Sequence, residues 1–193
     1  VSNDKKLKEY FELGEDIHTM TASEVFGITK ENVTKDMRFR AKALNFGVLY
    51  GMGSVGVSRA AGVTTLRARE FITKYFADFS GVAKYIEKMK ETVHHDGYVE
   101  TIFGRRRPIL DIYSTIPQVQ AQAERMAINH PVQGTAADLM KLAMIGVYNY
   151  IYANLRGDEV RLLLQVHDEL VFEIKTESVK KLAPTLKKIM ESV

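Results

Sequence analysis

Arg38, Lys42, Phe46 and Tyr50 recur at every fourth residue. On an α-helix, successive members of such a set drift by about 40°, so the four share one slanting stripe roughly 18 Å long. Two cations followed in line by two aromatics suit a nucleoside triphosphate. A guanidinium fork and an ammonium point charge would neutralise phosphate oxygens, and the flat rings would face sugar and base. Gly47 and Gly51 add no side-chain bulk there, so a ligand could approach the backbone. A solvated basic face running into a buried aromatic face satisfies the same spacing.

A second cluster is His167-Asp168-Glu169, set between the apolar runs Leu162–Val166 and Leu170–Ile174. A tight turn between two strands projects its polar residues out of the sheet. Adjacent carboxylates on a rigid hairpin can hold Mg²⁺, which takes one or two carboxylates together with substrate phosphate oxygens. An ordinary polar hairpin tip reads the same way. A third set, Arg125, Asn129 and Gln133, recurs by four and forms a stripe of hydrogen-bond donors near a helix end. The small residues of Gln133-Gly134-Thr135-Ala136-Ala137-Asp138 would let a nucleic-acid strand or another backbone come close. Tight helix packing, with Asp138 stabilising a helix start, is the alternative.

The elements that must position these residues follow from caps and periodicity. Asp4 to Leu13 reads as a short helix stopped by Gly14. Asp16 can N-cap a helix to Phe26, with Gly27 as its stop. Thr34 caps a helix from Lys35 to Leu49, closed near Gly51. Helices are expected at about Thr65–Phe76 and Gly81–His95, the latter ended by Gly97. Tyr98–Phe103 alternates like a strand, and Gly104 with Arg105, Arg106 and Arg107 makes a basic turn. Pro117 opens a helix to about His130, and Gly134 to Ala153 reads as a second, strongly apolar helix. Val160–Val166 and Leu170–Ile174 are strands, and Glu177–Glu191 is an amphipathic helix interrupted or restarted at Pro184. Helices first, then a hairpin and a helix, give an α+β, mostly helical fold, with a boundary near Ile116.

Composition bounds the possibilities. The chain has 193 residues, 46% hydrophobic and 26% charged, an ordinary globular balance. No Cys is present, which excludes disulfides and thiolate metal sites. No apolar run reaches bilayer length. A net charge of +3 permits a nucleic-acid partner without demanding one. The chain opens on Val1 without a signal sequence and reads as a piece of a longer polypeptide.

Taken together the motifs resemble those of family A (DNA polymerase I type) polymerases. Arg38-x₃-Lys42-x₇-Tyr50-Gly51 resembles polymerase motif B, and Gln165-Val166-His167-Asp168-Glu169-Leu170-Val171 is similar to motif C. Gly14-Glu15-Asp16-Ile17-His18-Thr19, the Gly97–Arg107 segment and Asn129–Asp138 resemble further family segments in the family's order. The resemblance covers essentially the whole chain. It implies the fingers subdomain in residues 1–115 and the C-terminal part of the palm, with the acidic hairpin, in 116–193. It implies a template-directed DNA polymerase that adds dNMP from dNTP to a primer 3′-hydroxyl and releases pyrophosphate.

Residue roles follow from the matching positions. His18, Arg38 and Lys42 would contact the triphosphate of the incoming nucleotide, Phe46 its sugar, and Tyr50 the place where the templating base enters. Asp168 would hold a metal ion, with Glu169 supporting and His167 near the primer end, so Lys42, Asp168 and Glu169 are the candidate catalytic residues. Two Mg²⁺ ions, with Mn²⁺ as a substitute, would stabilise attacking and leaving oxygens. Arg125, Asn129, Gln133 and Gln165 would meet the primer–template duplex, and Arg105 and Arg106, with Arg107, would lie near DNA phosphates. Partners are primer–template DNA, dNTP and the rest of the polypeptide, with no membrane. The location is cytoplasmic, in a bacterium or encoded by a phage.

One departure matters. The family's motif A, which carries the other essential metal-binding Asp, matches nothing here, and neither do the thumb or an exonuclease domain. These 193 residues alone are therefore expected not to polymerise. Two rivals share parts of the pattern: a single-subunit phage-type RNA polymerase, disfavoured by Phe46 and the Asn129/Gln133 segment, and a DNA-binding module that has lost its chemistry, disfavoured by retention of Arg38, Lys42, Asp168 and Glu169.

Overall fold

A computed structural model of the chain describes residues 1–154 and 159–193. The fold is α+β and mostly helical, with two small two-stranded sheets among the described residues. By compactness it divides into two units, residues 1–99 with 106–129, and residues 100–105 with 130–193.

The first unit is built from helices whose ends carry their own stop signals. α1 (Lys5–Glu12), α2 (Ile17–Phe26) and α3 (Lys35–Leu49) begin at Asp4, Asp16 and Thr34, each of which accepts a hydrogen bond from a first-turn backbone N–H. α4 (Ser54–Ala61), α5 (Thr65–Asp78) and α6 (Ser80–Asp96) follow. Gly27, Gly62 and Gly97 close α2, α4 and α6 in the left-handed conformation, which costs a residue without Cβ least. Val25, Leu44, Val48, Val57, Phe71, Tyr75, Phe79 and Val82 form one buried core around α3. A second cluster gathers Val93, Val99, Ile109, Ile112, Ala123 and Ala127.

Asp4 has a duty that its place in the sequence does not reveal. It is 4% exposed. Its Oδ1 accepts from Leu7 N at 2.9 Å, capping α1. Its Oδ2 accepts from Gly81 N at 2.7 Å and from Val82 N at 3.3 Å, capping α6, whose own N-cap Phe79 has no side-chain acceptor. One carboxylate thus satisfies the orphan donors of two helices. A Cβ at residue 81 would lie 2.7 Å from the Asp4 backbone, so Gly81 is required for the approach. Asp4→Ala is expected to cost about 2–4 kcal/mol, two lost caps with buried donors left unmet. Asp4→Asn, which keeps one acceptor, is expected to cost about half as much, and urea denaturation midpoints measure both.

α7 (Pro117–Asn154) supplies residues 117–129 to the first unit and 130–154 to the second. The two helices expected on either side of residues 131–133 are therefore one. Pro131 lies inside this helix; its ring fixes a φ near the helical value, but it has no N–H to bond Ala127 and crowds that residue's carbonyl. The Pro131 carbonyl accepts from the Thr135 hydroxyl at 2.6 Å. Pro184 is accommodated in the same way within α8 (Val179–Glu191), where buried Leu182 and Leu186 hold the helix on both sides. The sequence pattern predicts no helix over 54–61, because Gly53, Gly56 and two serines depress helix propensity. Burial of Val57 and Ala61 outweighs that deficit. The strand expected over 98–103 is shorter: β1 (Tyr98–Glu100) pairs with β2 (Arg106–Pro108), and Gly104, at φ +79°, turns the chain between them. Arg106 and Arg107 thus lie on a strand and not in the turn.

In the second unit, β3 (Val160–Val166) and β4 (Glu169–Ile174) form an antiparallel hairpin. Val147 of α7, Val160, Leu182 and Leu186 are its buried core, with Phe172 and Ile174 packed against them. No helix among the described residues is long and apolar enough to cross a membrane.

Candidate functional site

α3 presents two different faces. Ala41, Leu44, Asn45 and Val48 are buried, at the i, i+3, i+4, i+7 spacing of a core-facing stripe. Arg38, Lys42 and Phe46 lie on the open side, and Tyr50, the C-cap residue, is half-buried. Phe46 is 45% exposed although apolar. The expected stripe is therefore accessible along its first three members. Both glycines serve packing and not ligand approach: the space beside Gly47 is taken by the tip of Met52, and that beside Gly51, at φ +85°, by the stem of Arg125 at 3.3 Å.

α2 contributes two residues to this surface. Asp16 Oδ2 accepts from Arg38 Nε at 2.6 Å and Oδ1 from Arg38 Nη2 at 3.2 Å, a two-point fork. The same carboxylate accepts from His18 N and from the Thr19 hydroxyl. The Arg38 guanidinium is the main reason that its carboxyl sits well below the usual carboxylate range. His18 places its ring 6.0 Å from Phe46 and its Nδ1 3.0 Å from Asn45 Nδ2. Burial, then Arg38 and Lys42, lower the pKa of its imidazole, against Asp16, which raises it. The structure thus gathers His18, Arg38, Lys42 and Phe46 on one face of the first unit. Lys42 has no ion pair among the described residues.

A pH test of the Asp16–Arg38 pair follows from the sign of the shift. A carboxylate depressed on folding stabilises fully above its unfolded pKa, about 3.9, and that stabilisation is lost as pH falls through the lower folded value. Both partners are substantially solvent-exposed, so screening keeps the contribution of the pair small. Asn caps helices as well as Asp does. Wild type and Asp16→Asn are therefore expected to differ in urea midpoint at pH 7, and to converge as the pH is taken below about 3.5.

The duplex-facing candidates lie along α7. Arg125 is exposed, Asn129 half-buried and Gln133 exposed. The first two belong to the first unit and Gln133 to the second. Arg106 lays its guanidinium 4.6 Å from the centre of the Tyr98 ring. Arg105, in the second unit, is held by α7: its Nε donates to Asp138 Oδ1 at 2.7 Å and its Nη2 to the Gly134 carbonyl at 2.9 Å. Burial works to raise the Asp138 carboxyl, and the Thr101 hydroxyl, Arg105 and Lys141 together outweigh it and hold the group below its usual value. Asp138 is thus a mid-helix anchor for the 101–105 turn and does not stand at a helix start.

The hairpin builds the acidic tip. Val166 pairs with Glu169, leaving His167-Asp168 as a two-residue loop. His167 has φ +52°, the left-handed value that primed hairpin turns require at their first position and that His tolerates better than most residues. Gln165 Nε2 donates to the His167 carbonyl at 2.8 Å and fastens the turn. The register skips Leu163 between Leu162↔Phe172 and Leu164↔Val171, a bulge that re-aims the strand toward the tip. His167, Asp168 and Glu169 are all exposed, and Leu164, Val166 and Val171 leave an apolar patch open on the hairpin. Among the described residues neither Asp168 nor Glu169 carries an ion pair, and no cluster of three or more potential metal ligands occurs. Asp168 offers hard oxygen donors on a pinned turn, which fits an ion that takes few protein ligands.

Sequence reasoning missed Asn45, Thr21 and the Asp16–Arg38 fork. The signal for Asn45 was present: it is a polar residue at a position where the periodicity of α3 demands an apolar one.

The sequence matches DNA polymerase family A over residues 1–193, and the chain belongs to that family. It is 47% identical over 193 residues to the thermostable DNA polymerase I of Thermus aquaticus, covering all of this chain and 23% of the relative. To DNA polymerase I of Rhizobium leguminosarum it is 44% identical over 187 residues, 97% of this chain and 18% of the relative. A solved structure described as the POL domain of Pol1 from M. smegmatis in complex with DNA primer-template and dNTP superimposes with a TM-score of 0.86 at 39% identity, over 98% of this chain and 33% of that one. The chain thus spans about a fifth of the length of these two curated relatives.

Proposed function

We propose that this chain is part of a template-directed DNA polymerase that adds dNMP from dNTP to a primer 3′-hydroxyl and releases pyrophosphate. The observation that carries the reading is the open face of α3, where Arg38, Lys42 and Phe46 stand beside His18 of α2 in a chain that belongs throughout to DNA polymerase family A. Residues 1–115 act as fingers and 116–193 as the C-terminal palm. Arg38 and Lys42 neutralise the triphosphate, His18 donates to it, Phe46 packs on the sugar, and Tyr50 meets the template side. Since Asp16 already occupies the Arg38 fork, the incoming triphosphate competes with that carboxylate for the guanidinium or shares the guanidinium with it, while Lys42 is ready to receive it.

Asp168, supported by Glu169, would hold a Mg²⁺ ion, which when bound stabilises the charge that develops on reacting phosphate oxygens. The exposed, pinned carboxylate of Asp168 supports this, and a second carboxylate is expected from the rest of the polypeptide. His167 lies near the primer end. Arg105, Arg106, Arg125, Asn129, Gln133 and Gln165 orient the duplex, so binding weakens as salt rises. The apolar patch at Leu164, Val166 and Val171 supports a covering segment from the same remainder. The bacterial relatives favour a cytoplasmic location.

Primer extension by the parent polypeptide with Mg²⁺ tests the proposal. Incorporation of dNTP well above rNTP is expected. Preference for rNTP would favour the RNA polymerase, and DNA binding without extension the non-catalytic module. The 193-residue chain alone is expected not to extend a primer.

A further inference from the structure

Asn45 interrupts the buried stripe of α3 between Leu44 and Val48 and is 4% exposed. A buried carboxamide is tolerated when its donors and acceptor are met. Its Oδ1 accepts from the hydroxyl of Thr21, on α2, at 2.9 Å. Thr21 is itself buried, and among the described residues Asn45 Oδ1 is where its hydroxyl proton goes. With the oxygen so committed, the group turned toward His18 is the amide nitrogen, 3.0 Å from Nδ1. An N–H can bond Nδ1 only if that nitrogen carries the lone pair, and a neutral ring then has its proton on Nε2.

We infer that Asn45, oriented by Thr21, is a positioning residue that fixes His18 in its Nε2–H tautomer, so that the free ring nitrogen offers a hydrogen-bond donor to the nucleoside triphosphate. This deepens the polymerase reading and rests on it. The other tautomer would turn a lone pair toward phosphate oxygens and repel them. The choice matters because the charged form of the ring is disfavoured: burial, Arg38 and Lys42 lower its pKa, and Asp16, at the N-cap of α2, opposes them without prevailing. A neutral imidazole binds phosphate only through a correctly placed proton. An induced cation would have needed no such device, because both its nitrogens donate. The Phe46 ring, 6.0 Å away, flanks the same imidazole, so its orientation also bears on the sugar contact.

The test combines tautomer and affinity in the parent polypeptide. Histidine ¹⁵N shifts, with His18 assigned by its loss in His18→Gln, are expected to show Nε2 protonated and Nδ1 bare. Asn45→Asp, whose carboxylate can only accept, is expected to move a proton onto Nδ1. Asn45→Ala is expected to weaken dNTP binding in single-turnover extension about 5- to 10-fold, the scale of one hydrogen bond, with a smaller change in the maximal rate. In a His18→Ala background the same substitution is expected to change dNTP binding by less than about 2-fold, because its route is then gone. Thr21→Val leaves α3 intact and frees the amide to turn over, and is expected to weaken binding about 2- to 3-fold. An equal loss with and without His18, or a proton on Nδ1 in the wild type, would overturn the positioning role. A wild-type parent that extends no primer overturns the polymerase reading, whereas one that extends with Nδ1 protonated overturns only the role of Asn45.

Discussion

Asp168→Ala in the parent polymerase is expected to reduce single-turnover primer extension by about 10³-fold or more, the loss expected when a metal that supplies several kcal/mol of transition-state stabilisation is no longer held. Folding is expected to be unaffected. Asp168 is exposed, sits in a two-residue loop and has no ion pair among the described residues. Its turn is held by the backbone register and by Gln165 on the His167 carbonyl. A surface change of this kind shifts stability by about 0.5 kcal/mol or less. Loss of extension with an unchanged melting curve is therefore the expected pair of results. Activity within tenfold of wild type would mean that the hairpin tip is an ordinary polar turn. Glu169→Ala, on the first residue of β4, is expected to cost less, about 10- to 100-fold, because a supporting carboxylate adjusts an ion that another still binds.

The second large effect is expected at Lys42. Its ammonium is exposed on the open face of α3, one turn beyond Arg38. Lys42→Ala is expected to lower extension about 10²- to 10³-fold, in the range for removing one positioned charge or donor from a phosphoryl transfer. The loss should appear in the maximal rate as well as in dNTP affinity if the charge acts on the transition state. Stability should not change. Arg38→Ala makes the informative contrast, because Arg38 also forks onto Asp16 and so ties α3 to α2. It is expected to lose activity and a small amount of stability together, because solvent screens the exposed pair. An effect of Lys42→Ala confined to dNTP affinity would reduce its role to uniform binding.

Most of what these two predictions use was legible before any fold was known. Asp16, Gly27, Thr34 and Gly97 delimit their helices because capping is local: a side-chain acceptor or a left-handed glycine acts within one turn. The stripe from Arg38 to Tyr50 and a polar turn at His167-Asp168-Glu169 follow from periodicities that need only the next few residues, although pairing with Val166 draws Glu169 onto β4 and leaves a two-residue loop. The acidic hairpin and its two strands emerged within one residue of their observed limits.

What the sequence by itself determined, then, is where the capped helices and the acidic hairpin begin and end, and which chemistry-bearing side chains share an element; it left open α4, the continuity of α7 and the short β1–β2 pair. Tertiary structure alone decided which of those side chains meet. The Asp4 carboxylate caps α6 across 77 residues. Asp138 anchors Arg105 across 33, and Asn45 joins His18 across 27. Burial carried α4 through its glycines and α8 through Pro184. The physical reason is one of range. Backbone hydrogen bonding and capping are satisfied within a turn or two of chain, whereas the desolvation that makes a buried carboxylate or carboxamide find a partner is imposed by whatever segment packs over it.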